Sequence, residues 1–303
     1  MTSSIAVRAH AKVNLDLRIL GLFPDGFHKL RTVFQSLLLH DTLTFFPRPG
    51  PFSIESTSVD FPLDRSNLIW QAADILWEFL GRSGTATDIM IQVEKRIPTR
   101  AGLGSGSTNA AATLVGLAYL WQAELNSKKL ISLAGKLGAD VPFFLSGGTA
   151  LGLGRGDDVS PLEDLPKCWV VLVIPGFGIS SIDAYKWYEI DRKRGQIIQT
   201  KPQHVAGPWS SEAPQMINEL EATIARRYPD IDHMKTALQH AGASAVSMSG
   251  SGSTVFGLFQ NHGDALTAVK DLSDSGWEVL LTESLPQAAY TRLFQPQVFR
   301  SDG

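Results

Sequence analysis

The sequence predicts an α+β protein of two domains. Three observations carry that expectation: an opening stretch with the alternation of a strand, later stretches with helical spacing, and a length of 303 residues, enough for two units with a substantial buried core. In "VRAHAKVNLDLRIL" the residues Val7, Ala9, Ala11, Val13, Leu15, Leu17 and Ile19 share one face of an extended chain, and Lys12, Asn14, Asp16 and Arg18 share the other. Pro24, Asp25 and Gly26 in "FPDGFHKL" supply turn chemistry, and "LRTVFQSLLLHDTLTFF" returns to β-prone apolar sequence. From Asn67, a plausible N-cap, Ile69, Ala72, Ala73, Leu76 and Leu80 fall on one helical stripe. "DIMIQVEKRIP" alternates again through Ile89, Ile91 and Val93 until Pro98 ends the strand. Beyond a glycine-rich loop, Ala111, Leu114, Val115, Ala118 and Trp121 recur at helical spacing.

Composition narrows the function. With 44% hydrophobic and 19% charged residues the chain is ordinary globular sequence, and its formal net charge is −3. Lys and Arg are scattered, which excludes the clustered positive charge that a nucleic-acid binder needs to displace counterions. The single cysteine, Cys168, lies in an apolar run and has no second thiol in the chain to pair with. Neither a secretory signal nor an apolar run of membrane-spanning length is present, so a cytoplasmic soluble protein with no membrane partner is expected. The seven histidines (10, 28, 40, 204, 233, 240 and 262) show no zinc-type pairing.

The loop "PTRAGLGSGST" joins a strand to a helix amino end. Glycine permits positive backbone angles and close approach of main-chain amides to a ligand, and the helix end carries about half a positive charge, so phosphate is its natural occupant. A Walker loop would need a lysine that "GLGSGST" lacks. A dinucleotide fingerprint would need glycine where Ser107 stands. A phosphate cradle of another kind, with Ser and Thr hydroxyls helping to hold magnesium, remains beside a plain flexible turn. Asp140 is the one carboxylate between Leu125 and Leu151, flanked by Val141, Pro142, Phe143 and Phe144. In such an apolar setting it requires a cation, and Lys12 on the polar face of the first strand is the candidate. On these residues alone the pair reads as well as a structural ion pair as it does as catalytic machinery. Asn14 lies two residues from Lys12 on the same strand face, able to reach the same substrate or to be an edge-strand polar residue. A second cluster, "SMSGSGSTVFGLF", reads either as a loop near substrate phosphates or as a tight helix-to-strand turn. Asp157 and Asp158 read as surface turn residues.

"PTRAGLGSGSTNAA" resembles the ATP loop of the GHMP kinases, which include galactokinase, homoserine kinase and mevalonate kinase. "AKVNLDLRILGLFPDGFHKLRTVFQSL", "LGADVPFFLSGG" and "SMSGSGSTVFGLF" resemble, in order, the branch of that family that phosphorylates the 2-hydroxyl of a cytidine diphosphate sugar alcohol on the non-mevalonate route to isoprenoid precursors. The resemblance implies ATP with Mg2+ and a small-molecule substrate. It places Pro98, Thr99, Arg100, Ala101, Gly102, Leu103, Gly104, Ser105, Gly106, Ser107 and Thr108 at the nucleotide, with Asn67 and Lys95 near the adenine. It implies that Asp140 accepts the proton of the attacking hydroxyl while Lys12 keeps Asp140 ionised and steadies the transferring group. Asn14 then contacts substrate. Phe27, where the family has tyrosine, and Tyr185, where it has phenylalanine, would stack on the two faces of cytosine, with His28 on its edge. Asp16 stands where the family commonly has a larger or apolar residue. The implied architecture is an N-terminal domain of ribosomal-protein-S5-like fold over 1–158 and a C-terminal ferredoxin-like domain over 159–303, with the active site in the cleft between them. "CWVVLVIPG", a helix over "EAPQMINELEATIARRYPDI" and "STVFGLF" fit the second domain, while "DRKRGQIIQTKPQHVAGPWSSEAP" reads as a loop or insertion.

Overall fold

A computed structural model describes residues 3–59, 61–197 and 216–299. Two long strands, β1 (Ser4–Leu22) and β2 (His28–Pro51), form an antiparallel hairpin around the predicted turn. They anchor a seven-stranded sheet with β3 (Ser53–Ser56), β4 (Thr87–Glu94), β5 (Thr149–Gly154), β6 (Asp158–Pro161) and β11 (Gln297–Phe299). Helices α1 (Leu68–Phe79), α2 (Ser105–Leu120) and α3 (Ser127–Leu137) pack with it around one core cluster. Asn67 caps α1 as predicted, its Oδ1 accepting from the amide of Ile69 at 3.0 Å.

The second sheet contains β7 (Trp169–Ile174), β8 (Ala245–Met248), β9 (Val255–Phe259) and β10 (Glu278–Glu283) in the order β10-β7-β9-β8, every pair antiparallel. Between these strands run α4 (Ser181–Lys193), α5 (Glu221–Ala225), α6 (Asp230–His240) and α7 (His262–Leu272). That order and alternation is the ferredoxin-like topology. The helix expected over "EAPQMINELEATIARRYPDI" is divided: its first residues fall outside the described ones, Asn218 turns the chain by accepting from the Leu220 amide, and Pro229 separates α5 from α6. Most of the expected insertion, 198–214, also lies outside the described residues.

The two sheets share a third core cluster, and β1 reaches it beyond a break in its pairing with β2. Ile5, Val7 and Ala9 belong to the cluster around α1 and α2, whereas Ala11, Val13 and Leu15, of the same parity, pack with Val170, Leu172 and Ile174 of β7. The register shifts between His10 and Lys12. At that point Ala11 alone stands opposite Leu37, Leu38 and Leu39, so the surplus residues lie in β2 and the ladder is interrupted. Apolar residues that lined one core now line the junction, and the polar set of Lys12, Asn14, Asp16 and Arg18 turns inward, each only 3% exposed. Alternation put an apolar and a polar set on opposite faces, and from Ala9 to Arg18 both faces of β1 are buried.

The expected division at residue 158 cuts the first sheet, because β6 pairs with β5 and so belongs to it. After β10 the chain returns to that sheet through α8 (Gln287–Phe294) and β11, which pairs with β1. Leu285, Tyr290 and Phe294 fill the first core.

Candidate active site

A cleft of about 1180 Å³ opens along the junction, lined at one end by Phe61, Pro62 and Asn67 and at the other by Phe27, His28 and Tyr185. Between them lie the loop from Pro98 to Ser107, Lys12, Asn14 and Asp140. The loop is shaped by three residues with positive φ: Arg100 (54°), Gly102 (78°) and Gly104 (75°), the last being the N-cap of α2. No side chain caps this helix among the described residues, so its first amides point to the cleft as donors. A Cβ on Gly102 would strike the carbonyl of Ser249, and one on Gly104 would meet Phe144 at 2.5 Å. Protein packing alone therefore demands these two glycines. Gly106, inside α2, is different: a Cβ there would meet nothing nearer than Leu68 at 3.5 Å.

The second Gly/Ser cluster follows strand β8, making it a hairpin loop to β9 where a helix-to-strand turn was one expectation. It clasps the first loop. Ser249 Oγ donates to the Gly102 carbonyl at 2.9 Å and accepts from the Asn14 amide at 3.2 Å, and Gly250 and Ser251 line the cleft.

Lys12 and Asp140 meet, with Nζ 3.2 Å from Oδ2. The Lys12 side chain is 4% exposed and the Asp140 side chain 36%, so a buried ammonium underlies a carboxylate open to the cleft. Lys12 also donates to Asn14 Oδ1 at 2.5 Å, and Asn14 Nδ2 donates to Thr32 Oγ1 at 2.7 Å. Thr32, which the sequence did not single out, in turn donates to the carbonyl of Asp16 at 2.7 Å. Asp16 faces neither water nor the cleft: its carboxylate pairs with Arg18 at 2.7 Å and with Arg31, while burial pushes its proton affinity up against those cations.

Lys95 and Thr108 do not line the cleft. The Lys95 ammonium is buried behind the loop on Asp41 and donates to Ser105 Oγ at 2.6 Å. Burial lowers its pKa despite the Asp41 charge. Asp41 is fixed from the other side by the amides of Arg96 and Ile97, both at 2.8 Å. Lys95 thus touches the cleft lining through Ser105. Asn67 lines the cleft but spends its side chain on capping α1 and on the Pro62 carbonyl.

At the other end Tyr185 stacks on His28, ring centroids 4.7 Å apart and planes 25° from parallel. Phe27, 57% exposed, carries the Arg155 guanidinium 4.1 Å from its ring centroid. The expected pair of rings facing each other across a base is therefore not what this conformation holds: Tyr185 covers His28 itself. Glu189 on α4 meets His28 Nε2 at 3.1 Å; burial works against its charge, but hydrogen bonds from Arg192 and His28 outweigh that and hold its pKa low. Burial first, then the Asp140 charge, raises the Tyr185 phenol, which stays neutral. Arg155, Glu189 and Asp157 all line the cleft, and motif reading passed over the first two and left the third as a surface turn. Their only signal was position in a turn or helix that the fold brings to the site.

The GHMP kinases N terminal domain model matches residues 67–148 and the GHMP kinases C terminal model residues 209–276. A 4-diphosphocytidyl-2-C-methyl-D-erythritol kinase of Alkaliphilus metalliredigens is 36% identical over 275 residues, 89% of this chain and 92% of that protein. The chain belongs to the GHMP kinase family. The protein of the same name from Geobacillus kaustophilus is 39% identical over 261 residues, 85% of this chain and 89% of its own. A crystal structure of 4-(cytidine 5'-diphospho)-2C-methyl-D-erythritol kinase superposes with a TM-score of 0.75 at 32% identity, covering 92% of this chain and 98% of that one. Mevalonate kinase of L. major shares the fold, with a TM-score of 0.69 at 15% identity over 93% of this chain and 96% of that one. Membership in this family makes the two-sheet architecture that of a small-molecule kinase, and no helix among the described residues is long and apolar enough to cross a membrane.

Proposed function

We propose that this GHMP kinase transfers the terminal phosphoryl group of ATP to the 2-hydroxyl of 4-diphosphocytidyl-2-C-methyl-D-erythritol, in the cytoplasm, on the methylerythritol phosphate route to isoprenoid precursors. The observation that carries the reading is the Lys12–Asp140 pair at 3.2 Å, open to a cleft with the bare helix terminus on one side and Phe27, His28 and Tyr185 on the other. Asp140 takes the proton of the hydroxyl as its oxygen forms a bond to the γ-phosphorus. The bond from that phosphorus to the bridging oxygen breaks, and ADP leaves with the electron pair. Lys12 stays an ammonium, keeping Asp140 ionised and offsetting negative charge on the transferring group, while Asn14 fixes Lys12 in place. Main-chain amides from Gly104 to Ser107 hold the phosphates. The uncapped α2 terminus and the unobstructed space at Gly106 fit a nucleotide there. A magnesium ion accompanying the nucleotide would find the Ser107 hydroxyl and the Asp140 carboxylate, both lining the cleft, as protein oxygens able to help hold it, and it would offset the phosphate charge. At the base end Phe27 offers a π face without the tyrosine hydroxyl, His28 a hydrogen-bonding edge, and Tyr185 a second ring once it parts from His28.

ADP release should be measured with this alcohol and with mevalonate, homoserine and galactose. The cytidine-bearing alcohol is expected to be preferred and to be competed by cytidine nucleotides; preference for another acceptor rejects the substrate assignment. Asp140→Asn is expected to lose about 10²- to 10⁴-fold in kcat with ATP affinity retained, and unchanged turnover would remove Asp140 from the chemistry.

A further inference from the structure

We infer that Tyr290, on the C-terminal helix α8, is a positioning residue for Asp140; the inference rests on the proposed role of Asp140 as base. Tyr290 is fully buried, and its hydroxyl donates to the carbonyl of Phe144 at 2.6 Å. Phe144 lies in the short 3-10 turn Pro142–Leu145 that begins two residues after Asp140. Within that turn the Phe144 amide donates to the Val141 carbonyl, the Val141 amide donates to the Gly138 carbonyl, and the amides of Ser146 and Gly147 both take the Phe143 carbonyl. The Phe144 carbonyl is left over by this pattern, as the last carbonyls of a helical turn are, and Tyr290 supplies its donor. The same ring lies against Gly147, where any Cβ would collide with it, and Gln287 at the start of α8 lies equally close under Gly148. So α8 is pressed against the far end of the segment that carries Asp140.

What the turn holds explains why this matters. The Phe144 ring abuts Gly104, the N-cap of α2, and Phe143 stacks on Phe34 at 4.7 Å, over which Lys12 Nζ sits at 5.4 Å. One turn therefore spaces the carboxylate, the ammonium and the phosphate cradle relative to one another, and Tyr290 fixes the turn's height. The phenol serves as a donor throughout the working range, because complete burial raises its pKa well above that of free tyrosine. Displacement of a reacting group by about 1 Å costs on the order of 10²-fold in rate, so a loosened turn is felt in kcat before it is felt in binding.

Tyr290→Phe keeps the ring and removes the donor. On whichever alcohol the chain phosphorylates fastest, kcat is expected to fall about tenfold, with KM for ATP and for the alcohol within about twofold of the unaltered enzyme. In an Asp140→Asn background the same substitution is expected to change the residual turnover less than twofold, since it acts through that carboxylate. Phe294→Leu, which disturbs the stacking of Phe294 on Tyr290 (5.2 Å, 25°) but not the hydrogen bond, should lower the melting temperature and leave kcat unchanged. A tenfold loss from Phe294→Leu as well, an undiminished effect in the Asp140→Asn background, or a Tyr290→Phe kcat equal to the unaltered value would each overturn the assignment. Turnover of the unaltered chain tests the substrate reading by itself, and the ratios between variants test Tyr290 on any acceptor.

Discussion

His10 shows how much one buried side chain governs. It is fully buried, its Nδ1 lies 3.2 Å from the Leu37 carbonyl, and its Nε2 is a buried nitrogen with no hydrogen-bond partner. Burial, then the neighbouring His40, lowers its pKa from 6.5 to about 3. The folded state thus refuses a proton that the unfolded chain accepts below pH 6.5, so the native state is undiminished above that pH and loses stability as pH falls from 6.5 towards 3. The slope approaches about 1.4 kcal/mol per pH unit. Between pH 7 and pH 5 the unaltered protein is expected to lose about 2 kcal/mol more than His10→Gln, as read by urea unfolding at the two pH values; equal losses would contradict the burial argument. At this scale the sequence was most informative where chemistry forces a partner. The expected partners Lys12 and Asp140 meet at 3.2 Å, although the buried charge that needs a partner is the ammonium, 4% exposed, and the carboxylate is 36% exposed. It was least informative where the partner comes from a distant segment: Thr32 under Asn14, Asp41 behind Lys95 and Glu189 beside His28 are polar residues of ordinary strands and helices until the fold brings them in.

Among the elements, the glycine loop and β1 carry the site, and each was legible in part. Glycine content announced the loop, but two of its glycines answer to packing and only one to open space. Gly102→Ala forces a side chain into a φ of 78° and against Ser249, so a loss of roughly 1–3 kcal/mol is expected from the strain alone. Gly106→Ala, in a helix with room for its methyl, should hold or raise stability by about 0.5–1 kcal/mol while raising KM for ATP at least fivefold. Thermal melts beside ATP titrations separate the two. If Gly106→Ala leaves the ATP KM untouched, the nucleotide does not approach that backbone. For β1 the alternation was plain and its consequence was not: its pairing with β2 is interrupted between His10 and Lys12, and there residues of one parity pass from the first core to the junction while the sequence pattern runs on unbroken. Nothing in composition marks such a break. Likewise Tyr185 was expected as a ring on one face of a base, but its stacking on His28 depends on the relative height of α4 and the β1–β2 turn, a property of the assembled sheets.

For the molecule as a whole, the cleft exists because two sheets share a buried seam. Ala11, Val13 and Leu15 meet Val170, Leu172 and Ile174 there, while the opposite face of β1 turns Lys12 and Asn14 to the substrate side. Two domains were legible from length and from the change of pattern; the return of 287–299 to the first sheet was not, because a short terminal helix and strand carry no mark of which core they will complete. That return also places Tyr290 beneath the turn that follows Asp140, joining the end of the chain to the chemistry near its middle. The most direct measurement is a crystal structure with a non-hydrolysable ATP analogue and 4-diphosphocytidyl-2-C-methyl-D-erythritol bound together. The terminal phosphorus is predicted at the α2 amino end and the 2-hydroxyl oxygen within about 2.6–3.2 Å of the Asp140 carboxylate. A triphosphate bound away from that helix end, or a hydroxyl turned from Asp140, would contradict the account.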